Sequence, residues 1–150
     1  MRRWLSLIPF LLLVVGGGLL IGWLTLPGAW YAGLNKPAFN PPNWLFGPVW
    51  TILYVLVAIA GWRLWQVAPR STAMKLWWLQ LALNFAWSPV FFGAHQVGLA
   101  LAIVAALLAA ILAFLAAAWR TDRTSALLFL PYAAWVGFAT ALNAAIFRLN

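Results

Sequence analysis

There is no cysteine in this chain, only one acid, Asp122, and only one histidine, His95. Without thiols there are no disulfides, no thiolate nucleophile and no cysteine metal site, and one carboxylate with one imidazole is too little for a carboxylate pair or a protein-only metal centre. Charged residues make up 7% of the 150 and hydrophobic residues 67%, so the chain cannot cover a soluble surface with polar groups and belongs in a bilayer. The net charge of +8 is spread as separate basic residues between apolar runs. No stripe or cluster offers itself to a phosphate backbone, and nucleic acid is excluded as a partner. No Asp, Glu, Lys or His falls in the middle of an apolar run, which argues against transport coupled to protons or ions. The serines Ser6, Ser71, Ser88 and Ser125 have no evident histidine and carboxylate partners, so triad hydrolysis finds no support.

What the chain has instead is five apolar stretches, near residues 4–26, 44–66, 74–94, 97–119 and 125–147. Each meets the roughly 20 residues needed to cross a hydrocarbon core, and runs this long without alternation are helices. The expectation is an all-α protein, one domain over 1–150, built as an integral membrane bundle of five transmembrane helices with a structured loop at 27–43. The first run reads as a membrane helix rather than a cleaved signal peptide, being long for an apolar signal core and followed by no small-residue cleavage site. With an odd number of crossings, Arg2, Arg3, Arg63, Arg70, Lys75, Arg120 and Arg123 share one face, and Lys36 and Arg148 the other. The positive-inside rule then places the N-terminus in the cytoplasm of a bacterial cell and the first loop outside. Arg63 and His95, near stretch ends, read as snorkelling or interfacial side chains. Small residues four apart, Gly98, Ala102, Ala106 and Ala110, with Gly18 and Gly22 and with Ala82 and Ala86, allow close helix approach. That approach serves either the bundle itself or a homodimer.

The segment WYAGLNKPAFNPPNWLFGPVW, Trp30 to Trp50, is the one long break in the apolar pattern. Pro37, Pro41, Pro42 and Pro48 stiffen it, so it reads as a shaped cover rather than a slack linker. Of the twelve tryptophans, Trp4, Trp23, Trp30, Trp44, Trp62, Trp65, Trp77, Trp78 and Trp119 lie near stretch ends or in loops, as an aromatic belt requires. The others are deeper: at about 1.5 Å per residue from the loop side, Trp50 lies roughly 9 Å, Trp87 roughly 10 Å and Trp135 roughly 18 Å down. In the third stretch Trp77, Gln80, Asn84, Ser88 and Phe91 share one face, and a polar stripe in lipid turns inward. Tyr132, Trp135, Ala139 and Leu142 form a corresponding face in the fifth, with Tyr54 and Asn143 as further hydrogen-bonding groups. Two readings fit: an aromatic small-molecule cavity with a few polar handles, or aromatics packed on one another with Asn84 bonded to a neighbouring helix.

The run WYAGLNKPAFNPPNWLFGPVWTILY, with NFAWSPVFFGAHQVG (Asn84 to Gly98) and PYAAWVGFATALN (Pro131 to Asn143), closely resembles the translocator protein family. That family is also called tryptophan-rich sensory protein or peripheral benzodiazepine receptor, and the resemblance covers essentially the whole chain in order. It implies a dimer-forming five-helix membrane protein that binds tetrapyrroles such as protoporphyrin IX or a haem-like ring, with no required cofactor. Sterols and benzodiazepine-site ligands are bound by some members. The positions matching family ligand contacts are Phe46, Val49, Trp50, Asn84, Trp87, Trp135, Ala139 and Leu142. Some bacterial members are reported to degrade protoporphyrin IX in light through two tryptophans, matched here by Trp50 and Trp135; a binder or sensor, a photo-oxidative enzyme and a carrier are thus all implied. Two positions depart from the family pattern. Ala144 stands where the sterol motif between Leu142 and Arg148 has a tyrosine, and Leu99 where animal members have a tryptophan.

Overall fold

Backbone amides in an apolar medium find partners only within their own segment, and the chain meets this requirement with helices. The computed structural model describes residues 2–150, and among them there is no strand. We label α1 the helical run over 2–24, α2 the short helix Ala29–Ala32, α3 Asn43–Val67, α4 Thr72–Ser88, α5 Val97–Thr121 and α6 Arg123–Leu149. A π-turn, Leu12–Gly16, interrupts α1 and leads into Gly17 and Gly18. Ser71 caps α4 by accepting from the Met74 amide at 3.1 Å, which satisfies one of the free amides of the first turn. A single extended residue, Asp122 (φ −152°, ψ 96°), separates α5 from α6.

Among the described residues, four runs are long and apolar enough to cross a membrane: Arg3–Leu24, Asn43–Val67, Val97–Thr121 and Arg123–Leu149. The expected stretch at 74–94 differs. There α4 has 17 residues, and Pro89, which has no amide hydrogen, begins a π-turn, Pro89–Gly93. A fifth run of comparable length exists only if α4 and this π-turn are taken together. Around the bundle α1 packs on α3 and α4, α3 on α6, α6 on α5, and α5 on α4. The ring closes on a core that includes Val57, Leu107, Ile111, Phe114, Phe129 and Val136.

Several side chains lie elsewhere than their position along the helices suggests. Trp62 and Trp77, expected in an interfacial belt, are core residues. Trp77 is fully buried and donates from Nε1 to the Val57 carbonyl at 2.9 Å, while Trp62 donates to Ser6 Oγ at 2.8 Å. Proximity to a helix end sets depth; the side of the helix decided the rest. Arg63 does not snorkel: its Nε and Nη2 donate to the two Asp122 carboxylate oxygens at 3.0 and 3.1 Å. His95, at a left-handed φ of 58°, stacks on Trp30 with ring centroids 4.1 Å apart and planes 7° from parallel. In the α5 ladder Ala102 and Ala106 face outward and exposed, whereas Gly98 receives Phe147.

The Arg63–Asp122 pair ties α3 to the α5–α6 junction and supports a pH prediction. Burial alone would raise the Asp122 pKa, but hydrogen bonds from Arg63 and Ser125 and the Arg63 charge outweigh it and hold the carboxyl below its ordinary value. A pKa depressed by folding adds stability above the unfolded value of about 3.9, and that contribution is lost as pH falls through the folded value. The thermal midpoint in detergent is therefore expected to fall on acidification. Asp122→Asn should lower the midpoint at neutral pH and leave a flatter acid profile; parallel profiles for parent and variant would exclude this role for the pair.

Candidate ligand pocket

The Pro-rich segment between α1 and α3 is a held cover. Tyr31 of α2 is buried and donates to Asn40 Oδ1 at 3.0 Å. Lys36 Nζ donates to the carbonyls of Tyr31 and Leu34 at 2.8 and 3.1 Å. Asn35 and Asn150 clasp each other: the Asn35 amide donates to Asn150 Oδ1 at 3.1 Å, and Asn150 Nδ2 returns a bond to the Asn35 carbonyl at 2.8 Å. Phe39 meets Phe138 of α6 edge-on at 5.9 Å.

Beneath and beside this cover lie two spaces. The larger, a chamber of about 430 Å³, is walled by the outer half of α1, the start of α3 and the end of α4, and Phe46, Trp50, Tyr54, Asn84 and Trp87 line it. The smaller, a cleft of about 20 Å³ between α3, α4 and α6, is lined by Phe46, Trp50, Trp87, Trp135, Ala139 and Leu142, with Tyr31 as part of its roof. Volumes in the hundreds of Å³ suit a small molecule, whereas the cleft holds about one water. Phe46, Trp50, Trp87 and Phe92 belong to both linings and so form the partition. Neither lining contains a charged residue, histidine or methionine.

The residues singled out in the sequence thus fall into groups. Phe46, Trp50 and Trp87 serve both spaces; Asn84 lines only the chamber; Trp135, Ala139 and Leu142 line only the cleft. Val49 lines neither and packs against the main core. What the sequence reading missed is the contribution of α1, with Gly18, Gly22, Trp23 and Thr25 in the chamber lining. The signal was present in the four-residue spacing of Gly18 and Gly22, which also suits helix packing.

The polar stripe of α4 does turn inward, but mostly onto other side chains. Tyr54 donates to Asn84 Oδ1 at 3.3 Å, Asn84 Nδ2 donates to the Tyr132 hydroxyl at 2.7 Å, and that hydroxyl donates to Gln80 Oε1 at 2.7 Å. Trp87 Nε1 donates to Asn143 Oδ1 at 2.9 Å. Trp135 is the exception, with its buried Nε1 left without a partner. A buried donor in that state carries an unrelieved desolvation cost. Trp50 stacks on Tyr54 at 5.4 Å and meets Trp135 edge-on at 6.4 Å. The chemistry available is therefore aromatic contact and hydrogen bonding, with no acid–base pair at hand.

Residues 10–149 match the TspO/MBR family. Over 133 residues the chain is 38% identical to protein CrtK of Rhodobacter capsulatus, covering 86% of this chain and 83% of that one. Over 129 residues it is 40% identical to the tryptophan-rich sensory protein of Cereibacter sphaeroides, covering 86% and 82%. It is also 40% identical over 126 residues to the human translocator protein, covering 81% and 75%.

Proposed function

The chain belongs to the TspO/MBR family and is a multi-pass integral membrane protein, and from that premise we propose that it is a membrane receptor or sensor for protoporphyrin IX and related flat apolar ligands. The observation that carries this reading is the uncharged chamber of about 430 Å³, with the rings of Phe46, Trp50, Trp87 and Phe92 on its inner wall. Such a space holds a flat macrocycle by its faces. It offers no histidine, cysteine or methionine as an axial ligand for a metal, and the hydroxyl of its one tyrosine, Tyr54, is bonded to Asn84, so recognition rests on the ring itself. The names of the relatives, sensory protein and translocator protein, support sensing first and carriage second.

In this reading α1, α3, α4 with its π-turn, α5 and α6 are five membrane spans, with the N-terminus cytoplasmic and the covered loop outside a bacterial cell. The exposed small face at Ala102 and Ala106 supports a homodimer through α5. The alternative, light-driven degradation of protoporphyrin IX, is favoured by the edge-on contact of Trp50 with Trp135, since an indole beside a photoexcited ring is an electron donor.

Binding is checked by titrating the protein in detergent with protoporphyrin IX and following tryptophan fluorescence. Saturable quenching is expected, with the midpoint shifted to higher concentration in Trp135→Ala. A linear, unsaturable loss of signal would reject the pocket.

A further inference from the structure

Named contacts fasten several edges of the chamber. Its floor is the contact of Gly18 with Tyr54, so close that a Cβ on Gly18 would lie 2.4 Å from the Tyr54 ring. At the far end Thr25 Oγ1 and Ser88 Oγ share a 2.7 Å hydrogen bond that pins α1 to α4, and Phe85 closes the same side against Gly17. The partition of Phe46, Trp50, Trp87 and Phe92 separates the chamber from the cleft. The cover, which roofs the cleft through Tyr31 and lends the chamber no residue between 28 and 42, is fastened by the Trp30–His95 stack and the Asn35–Asn150 clasp.

The seam between α1 and α3 has no such fastening above Gly18. Gly22 on α1 and Gly47 on α3 both line the chamber, and a Cβ built on either meets no atom within 4 Å. At the mouth, Trp23 and Trp44 are 69% and 71% exposed, on an outer surface where lipid chains lie against a membrane helix. The π-turn and the glycines Gly16 to Gly18 sit immediately below the open part of α1, where a helix bends most readily.

We propose that the α1–α3 seam at Gly22 and Gly47 is a lateral entrance through which the chamber takes a membrane-dissolved flat macrocycle directly from the bilayer, while the cover stays shut. This rests on the binding reading above and adds the source and route of the ligand. A planar apolar molecule partitions into lipid, so a side entrance spares it a passage through water. Glycine at both positions adds no side chain to the gap, and the tryptophans at the mouth offer aromatic faces to an arriving ring.

The absence of cysteine allows a direct test. Gly22→Cys with Gly47→Cys, bridged by a reversible thiol crosslinker, locks the seam; Asn35→Cys with Asn150→Cys, oxidised, locks the cover. Each protein is placed in vesicles carrying protoporphyrin IX in the bilayer, and the rate of tryptophan quenching is followed before and after reduction. The seam lock should slow uptake by at least about tenfold, reversed on reduction, and the cover lock should leave the rate within about twofold. An unslowed seam-locked protein, or equal slowing by both locks, overturns the entrance. Absence of saturable quenching in the reduced, unlocked proteins instead overturns the binding reading from which it follows.

Discussion

Gly61→Ala should destabilise the bundle by about 2–3 kcal/mol, the upper part of the range for overpacking a core, through a single added methyl group. A Cβ at this position would lie 2.3 Å from the Trp77 ring, and neither partner can give way easily. Trp77 is fully buried, its Nε1 is committed to the Val57 carbonyl, and Phe10 and Trp78 meet it edge-on at 5.5 and 4.7 Å. Moving the indole would break its hydrogen bond and disturb the contact of α3 with α4. The thermal midpoint in detergent reads the loss. Adding Trp77→Leu, which removes the obstructing ring, should make the alanine nearly neutral in a double-mutant comparison. If Gly61→Ala melts at the parent temperature, the close packing at this crossing is wrong.

For ligand binding the largest single effect is expected at Trp50, the ring that faces the chamber, the cleft and Trp135 together. Removing about 80 Å² of aromatic contact at about 25 cal/mol per Å² costs about 2 kcal/mol, a roughly thirtyfold weaker complex. Trp50→Ala should therefore shift the protoporphyrin IX titration by that factor, and Trp50→Phe by much less. Trp135→Ala, which alters only the cleft lining, should cost a few-fold. The reverse ranking would place the ligand in the cleft and remove it from the chamber. The same complexes, illuminated while the porphyrin absorption bands are followed, divide binder from enzyme. Bleaching in the parent no faster than in the double variant Trp50→Phe, Trp135→Phe rejects catalysis by these rings; faster bleaching in the parent favours it over binding alone.

The helices were legible because uninterrupted apolar length is itself the signal, and the expected ends at 44–66, 97–119 and 125–147 fall within a few residues of α3, α5 and α6. The third stretch was less so, because Pro89 sits inside an apolar run whose composition conceals the change from α-helix to π-turn. That Trp50, Trp87 and Trp135 stand apart from the other tryptophans was also legible, and all three line the cleft. The inward turn of Gln80 and Asn84, both buried, followed from a polar stripe having no acceptable place in lipid. None of this depended on knowing which helices are neighbours.

Neighbourhood was the tertiary structure's to decide. Arg63 and Asp122 are 59 residues apart and meet across the bundle, a pairing that no local spacing announces. Trp62 and Trp77 share the depth of interfacial tryptophans but face inward, because rise along a helix says nothing about which side meets a partner. Likewise Trp135, Ala139 and Leu142 lie with Trp50 in the cleft, whereas Asn84 faces the chamber and Val49 the core. Composition and run length were enough for the class of protein, an all-helical membrane chain, because both are properties of the chain read in order. The closed ring of helices, and within it the side of α1 left open at Gly22, came only from packing, because lateral position in a bundle is set by the summed shapes of side chains on several helices at once.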